Sequence, residues 1–227
     1  MNVEFYSLHW NNVDPDMLKY HKEVMQFFNI DVIYHNFDRM DHAKWLEYIV
    51  TESKADIVAC FEPDCIPLND KYLQYIDYAY KHNTFVGIAQ VANHIHPKRH
   101  VYAGTGFYCI SKKMYELLGR PPYTPTYRGD TGAELCYKAE ELGLRFRTLV
   151  PTCFEKEPEE GIWPLGSLGY FGIGTVYDNS IYHLFQARYA QNIELFIKHC
   201  KEVLSGTFDC SNFYSSTTFN YSGKIVP

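Results

Sequence analysis

The sequence lacks any run of about 18 consecutive apolar residues, the length that a membrane-spanning helix needs. Its first residues also lack the basic start and apolar core of a signal peptide. Its net charge is −6, and no block of like charges occurs, which argues against a protein that coats a nucleic-acid backbone. These absences predict a soluble, cytoplasmic protein with no membrane span.

Three sequence motifs that are common in nucleotide-binding proteins and hydrolases are also missing. No GxGxxG follows the first predicted strand, which disfavours a dehydrogenase or a methyltransferase with a glycine-rich first turn. No GxxxxGK[ST] occurs, which excludes a P-loop kinase. No GxSxG occurs, which excludes the nucleophile elbow of an α/β-hydrolase.

The seven cysteines include no CxxC pair, and their number is odd. Several lie inside apolar runs, so the sequence predicts reduced cysteines rather than a disulfide framework. Apolar residues make up 46% of the chain and charged residues 21%, as in ordinary globular proteins. The length of 227 residues predicts a single catalytic domain over residues 1–204 and a C-terminal tail over residues 205–227.

The first third of the chain alternates between strand and helix patterns. Strands are predicted at residues 3–8, 30–34 and from residue 55 onward, with helices from Pro15 and over residues 41–53. This alternation predicts parallel pairing with right-handed crossovers, and hence an α/β fold with a mostly parallel central sheet flanked by helices. Ligands bind such sheets at the carboxyl edge of the strands.

The second half has a less regular pattern. Strands are predicted at residues 84–91, 101–110, 144–150 and 181–184, and helices at residues 72–82, 111–118 and 192–204, with a further helix opening after Asp130. The glycine-rich, aromatic segment 161–174 is interpreted either as a mobile lid or as a structural loop.

The third predicted strand ends at two carboxylates, in Glu62-Pro63-Asp64. Burying charge at the end of a central strand is costly unless the acids are paired or bind a cation. The pattern therefore predicts a metal and diphosphate site. The alternative for Asp64 is a carboxylate bound by the amides of a turn.

Several markers together resemble the GT-A fold of nucleotide-diphospho-sugar glycosyltransferases, most closely the family-2-like group. The first is Glu62-Pro63-Asp64, where the family has Asp-x-Asp, and the second is Gly104-Thr105-Gly106-Phe107, which is similar to the strand that lines the donor sugar. The third is Asp130 with Glu134 at a helix start, which is similar to the motif that carries the catalytic base of inverting members. The fourth is His183, which follows a late strand. The resemblance covers roughly residues 3–190. Glu62 departs from the first Asp of the family, and Gly129 stands where the family often has Glu.

The resemblance implies a Mn²⁺ or Mg²⁺ ion bound by Asp64 and His183, with Glu62 holding a metal-bound water or the ribose. It also implies an inverting reaction in which Asp130 is the catalytic base. Glu134 is the second candidate for that role. Asp130 could instead cap the helix that follows it.

The nucleotide-sugar donor is predicted to lie along the strand ends. Its base and ribose are assigned to Ser7, His9, Trp10, Asn36 and Asp38. Its sugar is assigned to Gly104, Thr105 and Gly106, and its diphosphate to the guanidinium groups of Arg128 and Arg188.

The sequence thus predicts a metal-dependent hexosyltransferase that uses a nucleotide-diphosphate sugar, with UDP-sugars favoured. Its acceptor is a hydroxyl group, on a saccharide or on a hydroxylated or modified nucleic-acid base. Two alternatives remain open: a non-catalytic sugar- or nucleotide-binding module on the same fold, and a nucleotidyltransferase. The oligomeric state is not predicted.

Overall fold

The chain begins with the alternation of strands and helices that its sequence predicts. The computed structural model describes residues 1–92, 100–155 and 161–218. Its first five elements are β1 (Val3–His9), α1 (Pro15–Phe27), β2 (Val32–Asn36), α2 (His42–Glu52) and β3 (Ile57–Phe61). Helix α1 begins at Pro15 because the Asp14 side chain accepts hydrogen bonds from the amides of Asp16 and Met17.

The elements that follow are less regular in length. They are β4 (Cys65–Pro67), α3 (Tyr72–His82), β5 (Phe85–Val91), β6 (Val101–Ser111), α4 (Lys112–Leu117), α5 (Ala133–Glu141), β7 (Arg147–Leu149), β8 (Pro151–Phe154), β9 (Trp163–Pro164), β10 (Tyr170–Phe171), β11 (Gly174–Tyr177), β12 (Ile181–Leu184), α6 (Ala190–Ser205) and β13 (Tyr214–Ser215). The predicted bounds of α3 and β12 are confirmed, whereas β7 is shorter than predicted.

The central sheet has six strands in the order β2-β1-β3-β6-β5-β7. Strand β1 pairs in parallel with β2 and β3, and β5 pairs in parallel with β7. Strand β6 runs antiparallel to both of its neighbours, β3 and β5. The predicted fold class, an α/β fold with a mostly parallel central sheet flanked by helices, is confirmed.

A second sheet of five strands, in the order β13-β8-β11-β12-β4, was not predicted. All of its pairings are antiparallel. Four of its strands, β4, β8, β11 and β13, lie in stretches that the sequence pattern did not mark as strands. Strand β4 follows the acidic turn directly, and β13 lies in the predicted tail. Residues 219–227 of that tail lie outside the described residues.

Strand β3 separates two parts of the hydrophobic core. All five of its residues are buried. Ile57, Ala59 and Phe61 face one cluster, whereas Val58 and Cys60 face the other. This burial on both faces is what its continuous apolar sequence predicts, and it places the following acids at the centre of the carboxyl edge.

Among the described helices, none combines the length and the apolar character needed to cross a membrane.

Candidate functional site

The acidic motif forms a tight turn between the two sheets. The Glu62 amide donates to the Gly106 carbonyl at 2.9 Å, which continues the pairing of β3 with β6. The Cys65 amide then donates to the Glu62 carbonyl at 2.9 Å, closing a turn with Pro63 at its second position, which proline favours. Strand β4 starts at once and pairs with β12, so that Cys65 lies opposite His183.

This pairing brings three predicted metal ligands together. Each of Glu62, Asp64 and His183 offers one ligand atom within 4.8 Å of the others. The His183 Nε2 atom lies 3.5 Å from Asp64 Oδ1. His183 is buried, with 3% of its surface exposed, and its ring packs against Gly106. A Cβ atom at Gly106 would lie 2.8 Å from His183 Cδ2 and 2.9 Å from Nε2, so the ring occupies this position only because residue 106 is glycine.

The chemistry of this cluster fits a divalent cation. Asp64 Oδ1 is buried and has no hydrogen-bond partner in the described part of the chain. A buried carboxylate oxygen without a partner destabilises a protein unless a cation compensates it. Two carboxylates and one imidazole are a donor set that suits Mn²⁺, and Mg²⁺ less well because it prefers oxygen ligands alone. The alternative in which turn amides bind this oxygen is not what the structure shows.

Glu62 is oriented by two further side chains. The Thr105 hydroxyl donates to Glu62 Oε1 at 2.6 Å, and His42 Nε2 lies 3.3 Å from the same oxygen. The His42 ring stacks on Trp45, with 5.8 Å between ring centroids and an interplanar angle of 20°. Sequence reasoning missed His42, because it lies at the start of α2, twenty residues before Glu62, and no local pattern connects the two.

A buried histidine, also missed, anchors the turn from the other side. The His21 side chain is fully buried in α1, and its Nε2 atom lies 3.1 Å from the Cys65 carbonyl oxygen. Its Nδ1 atom lies 2.9 Å from the Tyr34 hydroxyl. Because burial lowers the pKa of His21 to about 4, the ring is neutral at pH 7. Nε2–H therefore donates to the carbonyl, and Nδ1 accepts from the tyrosine.

This neutral histidine predicts an acid-sensitive fold. The pKa of His21 lies below its unfolded value of 6.5, so the unfolded chain binds the proton first as the pH falls. The contribution of neutral His21 to the free energy of unfolding is complete above pH 6.5. This contribution falls by roughly 3 kcal/mol as the pH falls toward about 4. Urea unfolding across this pH range measures the loss.

The matched variants are His21→Gln, which removes the titrating group, and His82→Gln, which removes an exposed histidine of α3. We expect the free energy of unfolding to depend less steeply on pH in His21→Gln and to keep the parental pH dependence in His82→Gln. Equal slopes in that variant and in the parent protein would show that His21 does not control acid stability.

A cavity of about 260 Å³ opens beside the acidic turn. It is lined by Leu8, Trp10, Asn12, Val13, Met17, His42, Trp45, Glu62, Pro63, Asp64, Gln186, Ala187 and Arg188. Four predicted site residues therefore line one cavity: Trp10, Glu62, Asp64 and Arg188. Met17 and Gln186 were missed because α1 and the loop after β12 reach this cavity only through tertiary packing.

The other residues predicted to bind the nucleotide lie outside the lining of this cavity. Ser7 is fully buried in β1. His9 follows at the end of the same strand, and burial lowers its pKa. Asn36 and Asp38 are exposed at the end of β2. Gly104 of β6 faces the Gln90 side chain. Their assignments to the donor stay predictions.

Two predicted residues are bound to each other. The Arg128 guanidinium donates to both carboxylate oxygens of Glu134, with Nε–Oε1 at 3.0 Å and Nη2–Oε2 at 2.8 Å. The Thr126 hydroxyl donates to Glu134 as well, and the Arg128 guanidinium lies over the Tyr137 ring at 4.4 Å. This pair holds the loop before α5, and neither residue lines the cavity.

Asp130 lies in the same loop. Its Oδ1 atom accepts a hydrogen bond from the Thr131 amide at 2.8 Å. The N-cap of α5 is Gly132, which has no side chain to cap the helix, so Asp130 is not its N-cap residue. Its role as a base stays a prediction.

The glycine-rich segment packs inward. Trp163 and Phe171 pair across the β9–β10 hairpin and stack at 5.2 Å. Phe185, close to His183 in sequence, lies 5.2 Å from Phe171 and 4.2 Å from the His183 ring, measured between centroids. The segment is thus joined to the candidate metal cluster through aromatic contacts.

No protein-family model matches the sequence, and no curated protein matches it significantly. Solved structures with a similar fold include a glycosyltransferase involved in the glycosylation of the major capsid of PBCV-1, with 12% identity and a TM-score of 0.47 over 86% of this chain and 99% of that one. They also include a CMP:2-keto-3-deoxy-manno-octonic acid synthetase complexed with CTP, with 10% identity and a TM-score of 0.38 over 65% of this chain and 89% of that one. The α/β fold class of the present chain follows from its own sheet order.

Proposed function

We propose that the chain is a metal-dependent glycosyltransferase that uses a nucleotide-diphosphate sugar. The observation that carries the proposal is the cluster of Glu62, Asp64 and His183 at the carboxyl edge of the central sheet, within reach of a cavity. Ligand sites of α/β proteins lie at this edge. Asp64 and His183 would bind Mn²⁺ or Mg²⁺ directly, and Glu62 would bind the ion or one of its waters.

The cation, when bound, neutralises the negative charge that a leaving nucleoside diphosphate gains. The chain's own groups supply the rest of the donor site. Arg188, at the cavity rim, offers a planar guanidinium that matches phosphate oxygens. Trp10 offers a ring face on which the nucleotide base can stack. UDP-sugars are the donors that we favour.

The cavity is somewhat smaller than the roughly 300–1,000 Å³ typical of ligand pockets. We therefore assign it to the nucleoside, and we place the sugar outside it, near Gly104, Thr105 and Gly106. Thr105 contacts Glu62, and Gly106 contacts His183, so this part of β6 adjoins the candidate metal cluster. The acceptor is a hydroxyl group, on a saccharide or on a modified nucleic-acid base.

Thermal denaturation with a panel of nucleotide sugars, each with and without Mn²⁺, tests the proposal. A nucleotide sugar that binds the native protein raises its melting temperature. Product analysis then shows whether a sugar is transferred. Binding without turnover would favour a non-catalytic module. Formation of a nucleotide sugar from a nucleoside triphosphate and a sugar phosphate would favour a nucleotidyltransferase. No response to any donor with any ion would overturn the proposal.

Asp130 is the proposed catalytic base, and Asp130→Asn tests it. Asparagine retains an oxygen that can accept from the Thr131 amide, but it cannot take a proton from the acceptor hydroxyl. We expect kcat to fall by about 10²–10⁴-fold, the usual contribution of a general base, with donor affinity unchanged. Asp70→Asn, at an exposed position, is the control. Transfer by Asp130→Asn at the parental rate would remove Asp130 from the reaction.

A further inference from the structure

Strand β6 supports two of the three candidate ligands through neighbouring residues. The Thr105 hydroxyl donates to Glu62 Oε1 at 2.6 Å, while Gly106 leaves the space that the His183 ring fills. A second side chain, His42 of α2, reaches the same carboxylate oxygen, with its Nε2 atom 3.3 Å away. Glu62 is therefore held at one oxygen by groups from two different elements.

The support from β6 is built on an irregularity of that strand. The register of β6 against β5 shifts between Gly87 and Ile88, so that residues 105–107 of β6 are extra. Such a bulge bends a strand and re-aims its side chains, and bulges are frequent next to active sites. Thr105 is 7% exposed and β-branched, so its side chain has few orientations in this packed stretch. The bulge thus presents a fixed hydroxyl to the acidic turn.

His42 is supported by aromatic contacts. It is the first residue of α2, and its ring stacks on fully buried Trp45 at 5.8 Å between centroids. Trp45 is fixed in turn, because its Nε1 atom donates to His35 Nδ1 at 3.1 Å. The His42 Nε2 atom forms no regular hydrogen bond among the described residues, so it should hold Glu62 less strongly than Thr105 does.

A glutamate needs such support more than an aspartate does. Its side chain has one more rotatable bond, and the loss of that freedom on ordering opposes ion binding. Because Oε1 is already fixed by Thr105, Glu62 has less freedom left to lose when it binds an ion. Removing a partner that orients a metal ligand typically weakens metal binding by about 10–100-fold.

We propose that Thr105 and His42 are positioning residues for the candidate ion and set its preference for Mn²⁺ over Ca²⁺. The inference rests on the ion site of the proposed function, but not on sugar transfer. Ca²⁺ accepts irregular geometry and often binds both oxygens of one carboxylate. Since Thr105 holds Oε1, Glu62 is hindered from turning both oxygens toward an ion, and this favours the smaller ion.

The test is to titrate the metal-free full chain with Mn²⁺ and with Ca²⁺ by calorimetry, without any nucleotide sugar. Thr105→Val keeps the shape of the side chain and removes the hydroxyl that donates to Glu62. We expect its Kd for Mn²⁺ to rise about 10–100-fold and its Kd for Ca²⁺ to change less than about threefold. The preference for Mn²⁺ should therefore fall.

Two further variants make the test specific. Thr105→Ser retains the hydroxyl and should restore the parental preference for Mn²⁺. His42→Phe retains a ring that can stack on Trp45 but lacks the nitrogen beside Glu62, and it should lose Mn²⁺ affinity by a smaller factor than Thr105→Val. His42→Phe also keeps the proposal testable if Thr105→Val does not fold, which thermal denaturation without ions will show.

Parental affinity for Mn²⁺ in both Thr105→Val and His42→Phe would overturn the proposal. An equal loss of affinity for both ions would overturn it too, because it would show support of the fold and not selection of an ion. If the parent protein binds neither ion, the proposal and the proposed function fail together. If the ions bind with the expected preferences but no sugar is transferred, the positioning role is upheld and the transferase is refuted.

Discussion

Replacing Asp64 with asparagine is expected to abolish the response of the protein to Mn²⁺ and, in the same variant, to stabilise the metal-free fold. The first effect follows because an amide oxygen is a much weaker ligand than a carboxylate, and we expect Mn²⁺ affinity to fall at least about 100-fold. The second follows because Asp64 Oδ1 is buried without a hydrogen-bond partner among the described residues. Removing that charge should raise the free energy of unfolding by about 1 kcal/mol.

The measurement is the melting temperature as a function of Mn²⁺ concentration, with and without donor. Asp70→Asn, at an exposed position, should leave both the metal response and the stability unchanged. Opposite signs for the two effects of Asp64→Asn distinguish a ligand from a structural acid. A variant that is destabilised yet still binds Mn²⁺ normally would show that Asp64 serves the fold instead.

Replacing Gly106 with alanine is expected to disrupt the same cluster without replacing any of the three candidate ligands. The new Cβ would lie 2.8 Å from both His183 Cδ2 and Ile88 Cδ1, and His183 has little room to move because it is 3% exposed. We expect a loss of about 1–3 kcal/mol in the free energy of unfolding, as for other overpacked cores. The Mn²⁺-dependent rise in melting temperature should be largely lost, because the imidazole is displaced from Asp64.

Gly104→Ala, on the same strand, is the matched control. The three atoms nearest to its Cβ would all belong to the Gln90 side chain, which can rotate away. We expect a smaller loss of stability and a retained metal response. If Gly106→Ala binds Mn²⁺ as the parent protein does, His183 does not contribute to the ion site.

The first half of the fold could be predicted because its signals are local. The capping residue Asp14, the proline at the start of α1 and the apolar run of β3 each act within a few residues, and each marks an element of the structure. The second sheet could not be predicted in this way. Its strands are two to four residues long, and β4 and β13 are defined by pairing with partners far away in the chain.

The residues that the structure brings together at the candidate site could be predicted only in part. The acids that follow β3 could be located from the sequence because a buried strand ends there, and His183 was assigned from a family resemblance. His21 and His42 lie on helices at positions where a histidine is usually structural, and only tertiary contacts connect them with the acidic turn. Conversely, Arg128 and Glu134 have the residue types of a catalytic site, yet the structure pairs them with each other.

The three candidate ligands are supplied by both sheets, Glu62 at the end of β3 and His183 from β12, with Asp64 between β3 and β4. An ion bound by all three would therefore add a cross-link between two sheets that are already connected by the turn from β3 to β4 and by side-chain contacts. Chelation should then loosen the smaller sheet first. Native-state hydrogen exchange would detect this as faster exchange at the amides of β4 and β12, while those of β1 and β3 stay protected.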